Sequence, residues 1–186
     1  RERAALRLSW MPSVLSASPV LEAQTMARTP DGRRLPVRLW GVDALTVASV
    51  QPGLMPRLAP GSDRLDLFAA DAVFLNPAAQ SLFSGPSVST QIGLSPTDLR
   101  VAGSVSQAGS PLLVMDVGAL QHLLQQHAHI TRIDLRLRPG TDTVALLEQL
   151  RQRGLARPDM QPEALLLATP ADGAARLSQV SRAYRV

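Results

Sequence analysis

The chain has 186 residues, 45% hydrophobic and 18% charged, a balance that supports a buried core and excludes a wholly disordered polypeptide. Nineteen basic residues, all of them arginine, stand against fifteen acidic ones for a net charge of +4; they form no basic block, and aromatics at 3% are too few for the stacking platforms of a single-strand binder, so no nucleic-acid partner is expected. Cysteine is absent, which excludes a disulfide, a thiol nucleophile and a thiolate metal site.

Arg1 to Trp10 reads as a helix with Ala5, Leu6 and Leu8 apolar and no N-cap residue ahead of it. Met11-Pro12 breaks that pattern, and Val14 to Ala27 reads as extended. Thr29-Pro30-Asp31-Gly32 is a turn signature, after which Leu35 to Val42 returns as a strand. The two runs predict a hairpin, with Val37 and Leu39 on one face and Arg38 and Trp40 on the other. From Asp43 to about Pro111, Pro and Gly punctuate short apolar runs: Leu65 to Phe68, Ala72 to Leu75 and Leu99 to Val105. That texture predicts a small strand-rich module, with Asn76-Pro77-Ala78-Ala79 as the cap and first turn of a short helix.

From Leu112 the pattern becomes regular. Leu112 to Met115 predicts a strand, and Asp116 can cap a helix carrying Leu120, Leu123 and Leu124 on one side. Ile130 to Pro139 alternates, which predicts Ile133, Leu135 and Leu137 inward and Arg132, Asp134, Arg136 and Arg138 outward, one face packed and one wet. Gly140 turns the chain, Asp142 can cap the next helix, and Val144, Leu147 and Leu150 form its expected buried stripe. Arg151 and Arg153 suit that helix's negative end, and Gly154 can terminate it. Glu163 to Ala168 predicts a further strand, and Thr169-Pro170-Ala171-Asp172 starts a helix with Leu177, Val180 and Tyr184 on one face and no stop signal before Val186. Each terminal helix is therefore expected to run on beyond the sequence given.

The chemistry-bearing residues form no catalytic constellation. His122, His127 and His129 have spacings of five, seven and two, not the four of a helical zinc pair. No Gly-x-Ser-x-Gly elbow is present, and with no lysine there is no Walker sequence. Asp134 between Arg132 and Arg136 reads as a solvated, charge-compensated strand face. Asp31, Arg33 and Arg34 form an exposed, basic hairpin tip, the candidate contact for a partner.

Five strings in order resemble a known family. They are Leu39-Trp40-Gly41-Val42-Asp43, Asp71 to Ala79, Val101-Ala102-Gly103, Leu113 to Leu124, and Ser181 to Val186. Together they look like the extracytoplasmic, MacB-like periplasmic core domain of the FtsX-like ABC transporter permeases. The resemblance implies an α+β fold: a ferredoxin-like porter lobe built from both ends of the chain, 1–43 and 111–186, with a small strand-rich lobe, 44–110, inserted between them. It implies a position between two membrane helices, on the periplasmic side of a bacterial inner membrane. It implies a non-enzymatic role that couples cytoplasmic ATP hydrolysis to extracytoplasmic work on a hydrophobic substrate or lipoprotein. The partners it implies are an ABC ATPase subunit, a second permease copy and a periplasmic protein or lipophilic substrate. This domain itself would hold no cofactor, ATP being bound by a separate nucleotide-binding subunit or domain. Gly41 and Gly109 are the candidate joints between the lobes. The alternative is a stand-alone soluble ligand-binding module or small hydrolase-like domain, which the sequence flanking the chain would distinguish through apolar spans on both sides or none.

Overall fold

The computed structural model describes residues 8–150 and 152. The first seven residues of the predicted N-terminal helix, Arg151, Arg153, Gly154, the predicted strand Glu163 to Ala168 and the predicted final helix lie outside the described residues. The chain divides into two compact units between Arg138 and Pro139.

In the first unit, β1 (Val14–Arg28) and β2 (Arg34–Val42) form the predicted hairpin, in register from Val20 opposite Val42 to Arg28 opposite Arg34. The tip follows from Pro30, Asp31 and Gly32. Gly32 N–H donates to Thr29 O at 2.9 Å, Thr29 N–H donates to Arg33 O at 2.9 Å, and Gly32 takes φ +85°, a left-handed conformation that a side chain would strain.

Six further strands join the same mixed sheet: β3 (Arg57–Leu58), β4 (Ala72–Leu75), β5 (Ser87–Ile92), β6 (Ser95–Ser104), β7 (Leu112–Asp116) and β8 (Arg132–Leu137). The hydrogen-bonded order is β2-β7-β4-β6-β5-β1, and β1 pairs in turn with β2. Six strands thus close into a ring, which removes the exposed edges that an open sheet must protect. The closing seam is short: Met26 opposite Gln91, Ala27 opposite Thr90 and Arg28 opposite Ser89. β8 extends the sheet from the first half of β1, Val14 to Val20, and β3 pairs with β6. Strands β3 to β6, from the segment 44–110, are therefore hydrogen-bonded into one sheet with strands from both flanks.

The two faces of the ring bury separate clusters. One draws a side chain from all six ring strands, including Leu21, Leu39, Val73, Leu75, Val88, Leu99, Leu113 and Met115, and is the interior. The other, with Val20, Val42, Phe74, Leu112 and Val114, lies on the opposite side of the same strands. β4 and β7 contribute alternate residues to both, which is why they read as unbroken apolar runs (Ala-Val-Phe-Leu, Leu-Leu-Val-Met). Helix α1 (Val47–Val50) and the 3₁₀ turn Pro52–Leu54 cover the outer cluster with Val47 and Leu54. Helices α2 (Pro77–Gln80) and α3 (Val117–Leu123) close onto the inner one with Ala79, Ala119 and Leu120.

Two glycines record close approach of backbone. A Cβ on Gly41, inside β2, would lie 2.9 Å from the Val117 Cα of α3 and 3.1 Å from the Leu120 Cβ. A Cβ on Gly103 would lie 2.0 Å from the Arg57 carbonyl oxygen. Gly103 follows a bulge in which Ala102 has no partner on β4, the register passing from Val101 opposite Val73 to Gly103 opposite Phe74.

The apolar run Leu65 to Phe68 lies in the 3₁₀ segment Arg64–Phe68, because Asp63 and Asp66 form a reciprocal capping box around its start; Leu65 is left 75% exposed. Two expectations are corrected. β8 does not have one packed and one wet face. Ile133, Leu135 and Leu137 are half-buried, and so are Arg132 and Asp134, which fold over neighbouring side chains instead of entering solvent. In the second unit, helix α4 (Thr143–Leu150) is capped by Asp142 as expected, its Oδ1 accepting from Val144 N–H at 2.9 Å and Ala145 N–H at 3.1 Å. Of its expected stripe, Leu150 is buried, with Leu146 four residues before it, while Val144 is 75% exposed and the Leu147 side chain lies outside those described. The cap places Val144 in the first turn, on the side turned from Leu146.

Asn76 ties the central strands together. It caps α2 as predicted, its Oδ1 accepting from Ala79 N–H at 2.9 Å, but the same oxygen also accepts from Leu112 N–H at 3.0 Å at the start of β7. Its Nδ2 donates to the Gln107 and Ser110 carbonyls, both at 3.1 Å. The side chain is fully buried with four hydrogen bonds, the whole capacity of an amide that offers two donors and two acceptor lone pairs. Asn76→Ala leaves two amides and two carbonyls without this partner and is expected to lower unfolding stability by about 2–4 kcal/mol. Urea denaturation measures this; a loss below about 1 kcal/mol would show that water or relaxation replaces the clamp.

Candidate functional site

The predicted hairpin tip is exposed and internally braced. Arg33 Nε donates to Asp31 Oδ2 at 2.6 Å, and the Thr29 hydroxyl donates to Asp31 Oδ1. The Thr29 hydroxyl, with the Arg33 guanidinium second, holds the Asp31 carboxyl below its ordinary value. Asp31 and Arg33 thus satisfy each other, while Arg34 sits on β2 opposite Arg28.

The two candidate joints lie in different settings. Gly41 is in a strand hydrogen-bonded on both edges, opposite Leu21 of β1 and Met115 of β7, and its lack of a side chain admits α3. Gly109 lies in the loop that Asn76 holds, at φ +117°, 3.4 Å from Arg38 Nη2 to the nearest point of a would-be Cβ. Gly41 is thus in the sheet and Gly109 in a connection.

On the outer face, β1, β2 and β8 assemble a cluster that sequence reading split into separate strand faces. Two guanidinium groups lie over the Trp40 ring, with Arg132 Cζ 4.5 Å and Arg38 Cζ 5.0 Å from its centroid, each a cation–π contact. Arg132 is held by Asp134 through Nε at 2.8 Å and Nη2 at 3.2 Å, and by Glu22 through Nη1. Among the described residues Arg38 has no carboxylate partner. Its Nη2 donates to Ser110 O at 3.2 Å, its Nε is buried without a hydrogen-bond partner, and burial lowers its pKa. The hairpin register pairs Glu22 with Trp40, so counting back from the turn would have found half of this cluster. The contribution of β8 needs the non-local β1–β8 pairing, which no local motif announces.

Among the described residues no group of three His, Cys, Asp or Glu could hold a metal ion. The rings of His122 and His127 are 6.2 Å apart and tilted by 53°, and Gln121 Nε2 donates to the His129 carbonyl at 2.8 Å. Asp116 caps α3 through Ala119 N–H at 3.1 Å. Burial raises its pKa, the negative charge of Asp43 adds to the rise, and the amides of Ala119, Gly118 and Val117 oppose it. No helix among the described residues is long and apolar enough to cross a membrane.

No family model matches the chain, and no curated protein matches it by sequence. Its fold does match solved structures. The periplasmic region of MacB from Actinobacillus actinomycetemcomitans superposes with a TM-score of 0.58 at 16% identity, over 82% of this chain and 72% of that one. The extracellular domain of the noncanonic ABC-type transporter YknZ from Gram-positive bacteria superposes with a TM-score of 0.56 at 13% identity, over 82% of this chain and 77% of that one. The fold is thus mixed α and β, dominated by its sheet, and of the kind found in extracytoplasmic domains of ABC-type transporters. The resemblance drawn from the five short strings points to the same fold.

The Asp116 environment has a pH consequence. A carboxyl whose folded pKa is raised contributes stability that is present below its unfolded pKa and lost as pH rises through the folded one. Asp116→Asn keeps the cap acceptor and cannot ionise, so at neutral pH it is expected to match or exceed the parent, the difference vanishing towards pH 4. Asp116→Ala loses the cap and is expected to lie about 1 kcal/mol below Asp116→Asn at every pH. Denaturation of the three proteins between pH 4 and 8 checks both; an Asn variant clearly weaker than the parent at neutral pH would contradict the assigned burial cost.

Proposed function

We propose that this chain is the extracytoplasmic domain of an ABC transporter permease, facing the periplasm from a bacterial inner membrane. In this reading it performs no bond chemistry. It relays the closure of cytoplasmic ATPase subunits to work on a hydrophobic substrate or lipoprotein. ATP is bound by a separate nucleotide-binding subunit or domain, and a second permease copy completes the assembly. The observation that carries the reading is the fold shared with the MacB and YknZ domains over four-fifths of the chain. It is supported by a Trp40 face stiffened by Arg132, Glu22 and Asp134, and by a braced hairpin tip at Asp31, Arg33 and Arg34 that can meet a periplasmic partner. The division into 1–43 with 111–186 and 44–110, with a ferredoxin-like porter lobe, belongs to the same proposal, the second segment being joined to the first through the β1–β5 and β4–β7 pairings. So does motion at Gly109, which lies in a loop at positive φ.

The absence of cysteine in this chain makes a single reporter thiol clean. Leu94, at the β5–β6 turn, is 97% exposed. In the full-length permease, with any other cysteine removed, Leu94→Cys is expected to react with a membrane-impermeant maleimide in cells whose outer membrane alone is permeable. Its rate is expected to change by about twofold or more when the ATPase is trapped with vanadate. Labelling only after lysis would refute the location, and labelling indifferent to nucleotide state would refute the relay.

A further inference from the structure

The turn that closes the hairpin fixes a second feature. Because Thr29 N–H bonds to Arg33 O, the next pair along the ladder, Arg28 opposite Arg34, is of the non-hydrogen-bonded kind, whose Cα atoms stand only about 4.5 Å apart. Like charges at such positions destabilise a sheet. Among the described strands this is the one ladder position where two cations face each other. Both side chains are exposed, and neither has an ion-pair partner among the described residues. Arg33, one residue away, is neutralised by Asp31. The row continues through Ser89 of β5 to Asp98 of β6, two strand spacings or roughly 10 Å from Arg28.

Arg28 and Arg34 both line a shallow groove of about 210 Å³, shared with Met26, Ser89, Leu94 and Pro96. A second depression of about 200 Å³ continues it past Arg28 and Ser89 towards Gly85. Both are smaller than the roughly 300–1,000 Å³ of a drug-sized ligand site, and their size suits a single charged group. Two forked guanidinium groups side by side, with a hydroxyl next to them, match a tetrahedral oxyanion of charge near −2. We infer that Arg28 and Arg34, with Ser89, form a binding site for a phosphate monoester group. The inference does not depend on the transporter reading. Its source is either a free phosphate compound or a lipid headgroup, whose chain would run along Met26, Leu94 and Pro96.

The test is a titration of the ¹⁵N-labelled chain with inorganic phosphate, followed through the arginine Nε–H and Ser89 amide signals, beside flotation with vesicles of phosphatidic acid in phosphatidylcholine. Saturable shifts at Arg28, Arg34 and Ser89 are expected, weakened about tenfold or more in Arg28→Gln and in Arg34→Gln and unchanged in Arg33→Gln. Phosphate is also expected to raise the Tm of the parent but not of the two variants, which without phosphate should be at least as stable as the parent because the repulsion is gone. Binding to inorganic phosphate identifies a free compound as sufficient, and binding only to phosphatidic acid vesicles, lost in the same variants, identifies the headgroup. Absent or non-saturable shifts in both arms, binding untouched by Arg28→Gln and Arg34→Gln, or capture of polyglutamate without phosphate binding would overturn the site.

Discussion

Strand β1 is hydrogen-bonded on both edges where Met26, Ala27 and Arg28 meet β5, and the closed interior of the first unit depends on that three-pair seam. Without it the sheet would be open, with β5 and β1 presenting unpaired backbone groups. With it, side chains from six strands converge on one interior, and the opposite faces of β2, β4 and β7 are left for a second layer covered by Val47 and Leu54. Closing a ring this small leaves room only for side chains. Leu, Val, Met and Ala fill it, which is how a chain with so few aromatic residues builds a core.

Closure alone would not hold β4, β7 and the loop between β6 and β7 in register, and Asn76 supplies what is missing. One amide joins the end of β4, the start of α2, the start of β7 and the carbonyls of residues 107 and 110. The loop it holds presents the Ser110 carbonyl to Arg38, and Arg38 in turn lies over Trp40. The chain of contacts therefore runs from a buried polar clamp to a half-buried aromatic–guanidinium face. The opposite end of the hairpin is organised differently, by local turn chemistry at Thr29, Asp31 and Gly32. One surface is stiffened by tertiary contacts and the other by its own sequence.

Local signals were legible and non-local ones were not. The hairpin, the caps at Asn76, Asp116 and Asp142, and the strands at residues 72–75 and 112–116 follow from turn residues, capping oxygens and apolar runs within a few positions. In the α4 stripe Leu150 was read correctly and Val144 was not, because Val144, by two steps of three, and Leu146, by one of four, both stand at helical spacings from Leu150 and only burial separates the two. The faces of β8 were misread because Arg132 and Asp134 look solvated until Glu22 and Trp40, about 110 and 92 residues away in sequence, are brought beside them. Ring closure had no local signature at all, since β1 is one long strand whose two halves pair with different partners on the same edge. The facing cations Arg28 and Arg34, by contrast, could have been counted from the turn once its length was known.

The account stands on the ring being one cooperative unit closed at the β1–β5 seam. Native-state amide hydrogen exchange, residue by residue, addresses this directly. Protected amides within residues 26–28 and 89–91 are expected to open with free energies within about 1 kcal/mol of those in β4 and β7. A seam that exchanges several kcal/mol more readily while β4 and β7 stay protected would mean that the sheet is open in solution and that its interior is held together by something else.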